Sequence, residues 1–405
     1  MESHQDQSAH SQQPTIGATF PKTCFNGINA LSGVGILSIP YALSQGGWLG
    51  LILLLLVATI CCYTGLLLGR CMDADPLIKT YPDIGDKAFG RNGRAIVSLF
   101  IYLELYLVAV EFLILEGDNL NKLFPHTHFQ VMGKRVEGKR FFVLLTAVMI
   151  LPTMWLRSLG LLAYVSAGGV FASLLLVGSV FSVGAIDGVG FHERGEIWRW
   201  SGVLNAISLF TFCYCGHAVF PTLHTSMTDR RHFPKVLLIC FVLSTINYGS
   251  MAVQGYLMFG SNLTSQVTLN LPTRSLGSKI AIYITLINPI TKYAIMVSPI
   301  ASIIEDTFPF RNSRFISILL RTALLISTVV VALVLPYFGN IMAFTGSFLS
   351  ISVSILLPCL CYLKIFKAYQ RLGLQLVLIG AILVVGLIVA VIGTYTSLRD
   401  IVKQL

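Results

Sequence analysis

The stretch Gly27-Ile28-Asn29-Ala30-Leu31-Ser32-Gly33-Val34-Gly35-Ile36-Leu37-Ser38-Ile39-Pro40 is apolar enough to enter a bilayer. Three glycines beside Asn29 and Ser32 nevertheless make it a poor continuous helix. Lipid offers no partner to a free N–H or C=O, so an interrupted helix is tolerated only where the gap faces protein or a cavity. A second stretch has the same character: in Phe212-Cys213-Tyr214-Cys215-Gly216-His217-Ala218-Val219-Phe220-Pro221, a glycine with polar neighbours precedes a proline by five residues. Paired interruptions at corresponding places in two halves of a membrane chain mark the binding site of an inverted-repeat transporter. The bland alternative is that the glycines only let helices pack closely.

The surrounding sequence supplies the halves. Its 405 residues are 55% hydrophobic and 11% charged, with a mean hydropathy of +0.77, whereas soluble domains carry about 25% charged residues. Eleven segments approach the roughly 20 residues a helix needs to cross hydrocarbon: 17–44, 48–70, 95–117, 140–156, 158–186, 202–222, 236–259, 278–304, 315–335, 337–363 and 373–396. The reading is therefore an all-α membrane protein with 11 transmembrane helices. A first five-helix repeat covers 17–186, a second covers 202–363, and an eleventh helix covers 373–396, all within a transporter domain of 16–405. The interruptions then fall in helices 1 and 6. Residues 1–15, rich in Ser, Gln and His, read as a disordered cytosolic tail without a cleavable leader.

Charge and cysteine placement fit this topology. The net charge of +10 does not read as a nucleic-acid footprint. With the N-terminus in the cytosol, the cytosolic loops hold 15 Lys and Arg against 11 opposite, a modest positive-inside bias. The sequon Asn262-Leu263-Thr264 falls on the non-cytosolic side, making Asn262 a glycosylation candidate, and the C-terminus is luminal. All nine cysteines lie in helices or at cytosolic helix ends, so no disulfide is expected. No nucleophile–base arrangement, metal-ligand cluster or phosphate loop is apparent, so neither an enzyme nor a cofactor nor a metal is expected. The sequence gives no oligomeric state.

The interruptions also suggest a ligand. A half-helix starting near Gly33 presents unpaired N–H groups and a positive dipole end, suited to a carboxylate. The carbonyl ends of the preceding half-helices, near Ile28 and Tyr214, suit an α-ammonium group. The substrate is then a zwitterion, and the lining candidates are Asn29, Ser32, Gly33, Val34, Gly35, Cys215, Gly216 and His217. No acidic residue lies in either interruption to pair with a basic side chain, which favours neutral amino acids.

Three stretches carry a family resemblance. They are Asn26-Gly27-Ile28-Asn29-Ala30-Leu31-Ser32-Gly33-Val34-Gly35-Ile36-Leu37-Ser38-Ile39-Pro40-Tyr41-Ala42, Gly216-His217-Ala218-Val219-Phe220-Pro221 and Asn288-Pro289-Ile290-Thr291-Lys292-Tyr293-Ala294. Here the chain resembles the amino acid/auxin permease family, and within it the vacuolar amino acid transporter branch, from about residue 15 to the C-terminus. The resemblance implies a LeuT-like fold of five plus five inverted helices, here with one more. It also implies amino acid transport coupled to protons, or to sodium in some branches, and for this branch H+/amino acid exchange at the vacuole. Asn29 stands where sodium-coupled relatives carry an asparagine associated with the cation. Asn26 stands near a membrane histidine of proton-coupled relatives, so that histidine is not the proton carrier here.

In a LeuT-like arrangement helices 1, 3, 6 and 8 surround the substrate, which brings Glu104, Glu111 and Lys292 near it. Charges at mid-membrane are costly and face the bundle interior. Glu104, Glu111, Lys292 and His217 are therefore the proton-coupling candidates, with a fixed Glu–Lys pair between helices 3 and 8 as the alternative. Arg321, two turns inside helix 9, is expected to snorkel. The reading is a proton-coupled secondary transporter working by alternating access. A transporter-like amino acid sensor signalling to cytosolic partners is the rival, and a channel the third option.

Overall fold

The computed structural model describes residues 17–125, 129–131, 134–155, 168–307, 314–370 and 373–404. The amino-terminal tail assigned to 1–15 lies outside the described residues, as does the start of the segment assigned to 158–186. Helices account for nearly all of the described chain, apart from one short antiparallel hairpin in which β1 (Phe129–Val131) pairs with β2 (Lys134–Val136), Phe129 opposite Val136.

The first apolar segment does not form one helix. α1 (Phe20–Leu31) ends as Ser32 N–H donates to the Ile28 carbonyl, and Gly33 adopts extended backbone. A 3-10 turn (Val34–Leu37) leads to α2 (Ile39–Gly46), with Pro40 in its first turn, where its missing N–H costs nothing. The sixth segment is divided in the same way. α7 (Val203–Cys213) stops, residues 214–219 are non-helical, and α8 (Phe220–Ser226) starts with Pro221 in its first turn.

Between these pairs lie α3 (Gly50–Asp73), α4 (Tyr81–Leu123), α5 (Gly138–Met154) and α6 (Gly169–Ala185). After them come α9 (Phe233–Phe259), α10 (Leu276–Thr307), α11 (Arg314–Val334), α12 (Phe338–Phe344), α13 (Leu357–Ile365) and α14 (Leu374–Val402). Among the described residues seven helices are long and apolar enough to cross a membrane: α3, α4, α9, α10, α11, α14 and the run 338–365.

α4 starts well before the apolar window that begins at 95. Thr80 and Asp83 form a reciprocal capping box, Pro82 stands in the first turn, and the chain bends at Gly90, whose φ of 70° is costly for any residue with a β-carbon. The 81–89 stretch is polar enough to escape a hydropathy reading, yet its cap makes it helical.

The stretch between α12 and α13 is π-helical over Thr345–Ser350 and Ser352–Leu356. Such geometry is rare outside single bulges and occurs frequently at functional sites. Arg321 does not snorkel. It is buried, its Nε donates to Glu305 at 3.0 Å and its Nη1 to the Met154 carbonyl at 3.3 Å, tying α11 to α10 and α5.

Candidate functional site

The two interruptions meet. A β-carbon on Gly35 would lie 2.6 Å from Cys213 Sγ and 3.2 Å from its Cα, so only glycine lets the 3-10 turn rest on the end of α7. A β-carbon on Gly216 would stand 3.0 Å from Leu31 Cδ2. A β-carbon on Gly33 would meet nothing within 4 Å, so this residue borders open space. The half-helix ends lie at Leu31–Ser32 and Cys213, about a turn beyond Ile28 and level with Tyr214.

Side chains from α9 and α10 hold the carbonyl ends. The Tyr248 hydroxyl donates to the Leu31 carbonyl and, at 3.2 Å, to the Cys213 carbonyl. Lys292 Nζ donates to the Ser32 carbonyl at 3.2 Å and reaches Asn29 Oδ1 at 3.5 Å. Gly169, at the start of α6, packs so closely that a β-carbon would collide with Asn29 Oδ1 and stand 3.6 Å from Lys292 Nζ. Ser32, Gly33, Val34, Ser173, Thr285 and Asn288 border a cavity of about 20 Å³, room for a water molecule and not for an amino acid. A larger cavity of about 270 Å³ adjoins it between α1, α6 and α9, lined in part by Ser32, Ser173, Ser244 and Asn247.

The carboxyl candidates lie elsewhere than beside Lys292. Glu104 accepts from Ser350 Oγ at 2.6 Å, and Glu111 Oε1 accepts from Thr345 Oγ1 at 3.0 Å, both on the π-helical stretch. The Cys215 thiol, in the second interruption, accepts from Ser354 Oγ at 2.8 Å on the same stretch. The pair of carboxyls thus sits where α4, the end of α7 and the π-helical stretch converge. The alternative of a fixed Glu–Lys pair is corrected: no carboxylate among the described residues reaches Lys292, whose partners are a carbonyl and an amide on the first interrupted segment. The reason is geometric: α10 and α4 pack together, but Lys292 reaches the end of α1 whereas the two glutamates reach the π-helical stretch.

His217 is fully buried. Its Nε2 lies 3.0 Å from Thr64 Oγ1 and 3.1 Å from the Cys61 carbonyl, which docks the second interruption onto α3. The sequon residue Asn262 is exposed in the turn after α9.

Sequence reasoning missed Tyr248, Gly169, Ser173, Thr345 and Ser350. The Ser/Thr-rich run Thr345-Gly346-Ser347-Phe348-Leu349-Ser350-Ile351-Ser352-Val353-Ser354 is a legible polar signal in an apolar segment. A single buried tyrosine gives no such signal.

The chain is a multi-pass, all-helical membrane protein with a LeuT-like fold. The solved structure "Inward facing conformation of Mhp1" superposes with a TM-score of 0.60, covering 95% of this chain and 91% of that one at 13% identity, a likeness of fold. The family model described as transmembrane amino acid transporter protein matches residues 17–399, so the chain belongs to that family of transport proteins, which are not enzymes. Two relatives from Arabidopsis thaliana are Amino acid transporter AVT1I, 53% identical across 96% of this chain and 97% of its own, and Amino acid transporter AVT1J, 54% identical across 96% and 92%.

Proposed function

We propose that this protein moves neutral amino acids across the vacuolar membrane in exchange for protons, by alternating access about the gap between its two interrupted helices. In this reading the chain has eleven spans, with helices 1 and 6 divided at residues 32–33 and 214–219 in a five-plus-five inverted repeat, a cytosolic N-terminus and a luminal C-terminus. The observation that supports it is the contact of the two interruptions, Gly35 against Cys213 and Leu31 against Gly216. That contact puts the carbonyl ends of α1 and α7 side by side, with the N-terminal ends of the 3-10 turn and α8 close by. Opposed dipole ends of this kind suit an ammonium and a carboxylate on one carbon.

Asn29, Ser32, Gly33, Val34, Gly35, Cys215, Gly216 and His217 line or support the gap in this reading. Lys292 is the favoured proton carrier. Its ammonium satisfies the Ser32 carbonyl and faces Asn29, so losing the proton removes charge at the point where α1 ends. Glu104 and Glu111 form a second protonatable site that grips the π-helical stretch. His217, held on α3, serves as a support for the interruption.

Purified protein in liposomes, with pH gradients of both signs and a panel of amino acids, tests the proposal. Saturable uptake that follows one sign of gradient is expected. Binding without flux under either gradient would favour the sensor. Lys292→Gln keeps a donor at the Ser32 carbonyl and is expected to abolish pH-driven uptake at normal abundance; unchanged coupling rules Lys292 out as carrier.

A further inference from the structure

Tyr248 occupies a position that the proposed substrate also needs. It stands on α9 with its ring fully buried, edge-on to Tyr214 at a centroid distance of 5.3 Å. Its hydroxyl lies between the Leu31 and Cys213 carbonyls, the last of α1 and of α7. Helix C-termini leave carbonyls without intrahelical partners and carry a partial negative charge. Here two such ends converge on one hydroxyl, and the Leu31 carbonyl also accepts the Gly33 N–H at 2.8 Å on its other lone pair. A phenol has one proton to share between two acceptors, whereas an ammonium has three.

The volume agrees with this assignment. The cavity at Ser32 and Gly33 is about 20 Å³, too small for an amino acid, and the donor on the neighbouring Leu31 and Cys213 carbonyls is a side chain. Ser244, one turn before Tyr248 on α9, lines the adjoining cavity of about 270 Å³, which also reaches Ser32.

We infer that Tyr248 is a placeholder for the substrate's α-ammonium group, clasping the two half-helix ends in the closed arrangement and giving up both carbonyls when an amino acid binds. This rests on the zwitterion reading of the gap and adds to it the residue that competes with the ligand. A primary ammonium displaces the phenol because it supplies a donor to each carbonyl and the charge that both dipole ends favour. A carboxylic acid without the amine does neither.

Tyr248→Phe keeps the ring and removes the competing donor. In proteoliposomes KM for L-alanine is expected to fall about fivefold, the weight of one net hydrogen bond. The maximal rate of net uptake is expected to fall with it, because the clasp of the closed arrangement is gone. The purified variant should melt earlier than wild type without L-alanine and gain more from saturating L-alanine than wild type does. A raised KM, or an equal gain, overturns the placeholder role and makes the hydroxyl either a direct ligand or a structural group.

A measurement on protein that keeps the hydroxyl guards against a misfolded variant. With 3-fluorotyrosine at position 248, the fluorine resonance is expected to shift on adding L-alanine and to stay in place on adding propionate. An unmoved resonance under saturating L-alanine overturns the proposal. If wild type neither binds nor carries L-alanine or any other amino acid of the panel, the transport reading fails and takes this inference with it. If wild type carries L-alanine and the variant's KM does not fall, the placeholder role fails alone.

Discussion

At Gly35 one hydrogen atom in place of a methyl group decides whether the two interruptions touch. The nearest obstacle to a β-carbon is Cys213 Sγ at 2.6 Å, with the Cys213 Cα behind it at 3.2 Å. Gly35→Ala is expected to destabilise the protein by about 1–3 kcal/mol through overpacking and to reduce uptake strongly. Cys213→Ala in the same chain removes the sulfur and leaves the backbone contact, so it should restore stability in part. Melting temperature and uptake of the single and double variants check this, and an additive double variant would show that the two sites do not communicate. The glycine was legible because its neighbours made a poor helix. Tyr248 was not, because nothing in a tyrosine's sequence surroundings says that two distant carbonyls converge on its hydroxyl.

The elements show how far pattern reading carries. Hydropathy locates α3, α9, α11 and α14 because each presents a long apolar run to lipid. It misplaces the start of α4, where a cap and not an apolar stripe sets the boundary, and it does not distinguish π from α geometry at 345–356. The connector between α6 and α7 is held by polar contacts instead. Trp48 Nε1 donates to the Arg194 carbonyl at 2.7 Å, the Glu196 N–H donates to Tyr256 Oη at 2.8 Å, and Arg199 donates to the Glu196 carboxylate. That hydrogen bond holds the Glu196 carboxyl below its ordinary value. A carboxyl whose pKa is lower folded than unfolded stabilises the fold above its unfolded value, and the contribution disappears as pH falls through the folded one. The connector is therefore expected to stay clasped at mildly acidic pH. Melting curves of wild type and Glu196→Gln should differ slightly near neutral pH and converge only below the usual carboxylate range. The difference should shrink in high salt, since the pair is half-exposed.

For the whole molecule, Asn262 reports on orientation in the membrane. Its side chain is exposed in the turn after α9, while the Thr264 hydroxyl bonds to Asn270 Oδ1 at 2.6 Å and to the Gln266 carbonyl at 2.9 Å. With the N-terminus in the cytosol this turn is luminal, so protein made in a eukaryotic host should carry one glycan there. Endoglycosidase treatment should speed its migration, and Asn262→Gln should migrate like the treated form. Absence of any glycan would favour the opposite orientation. The amino-acid sequence alone determined the membrane class, the helical makeup and the two places where helices fail, because bilayer thickness and backbone satisfaction act on composition over each 20-residue window. Only the tertiary structure decided what faces those places: Tyr248 and Lys292 on the carbonyl ends, Glu104 and Glu111 on the π-helical stretch, and His217 on α3. Those partners are tens to hundreds of residues away in the chain. Which side chain of an apolar helix turns inward is set by packing against neighbours rather than by local pattern.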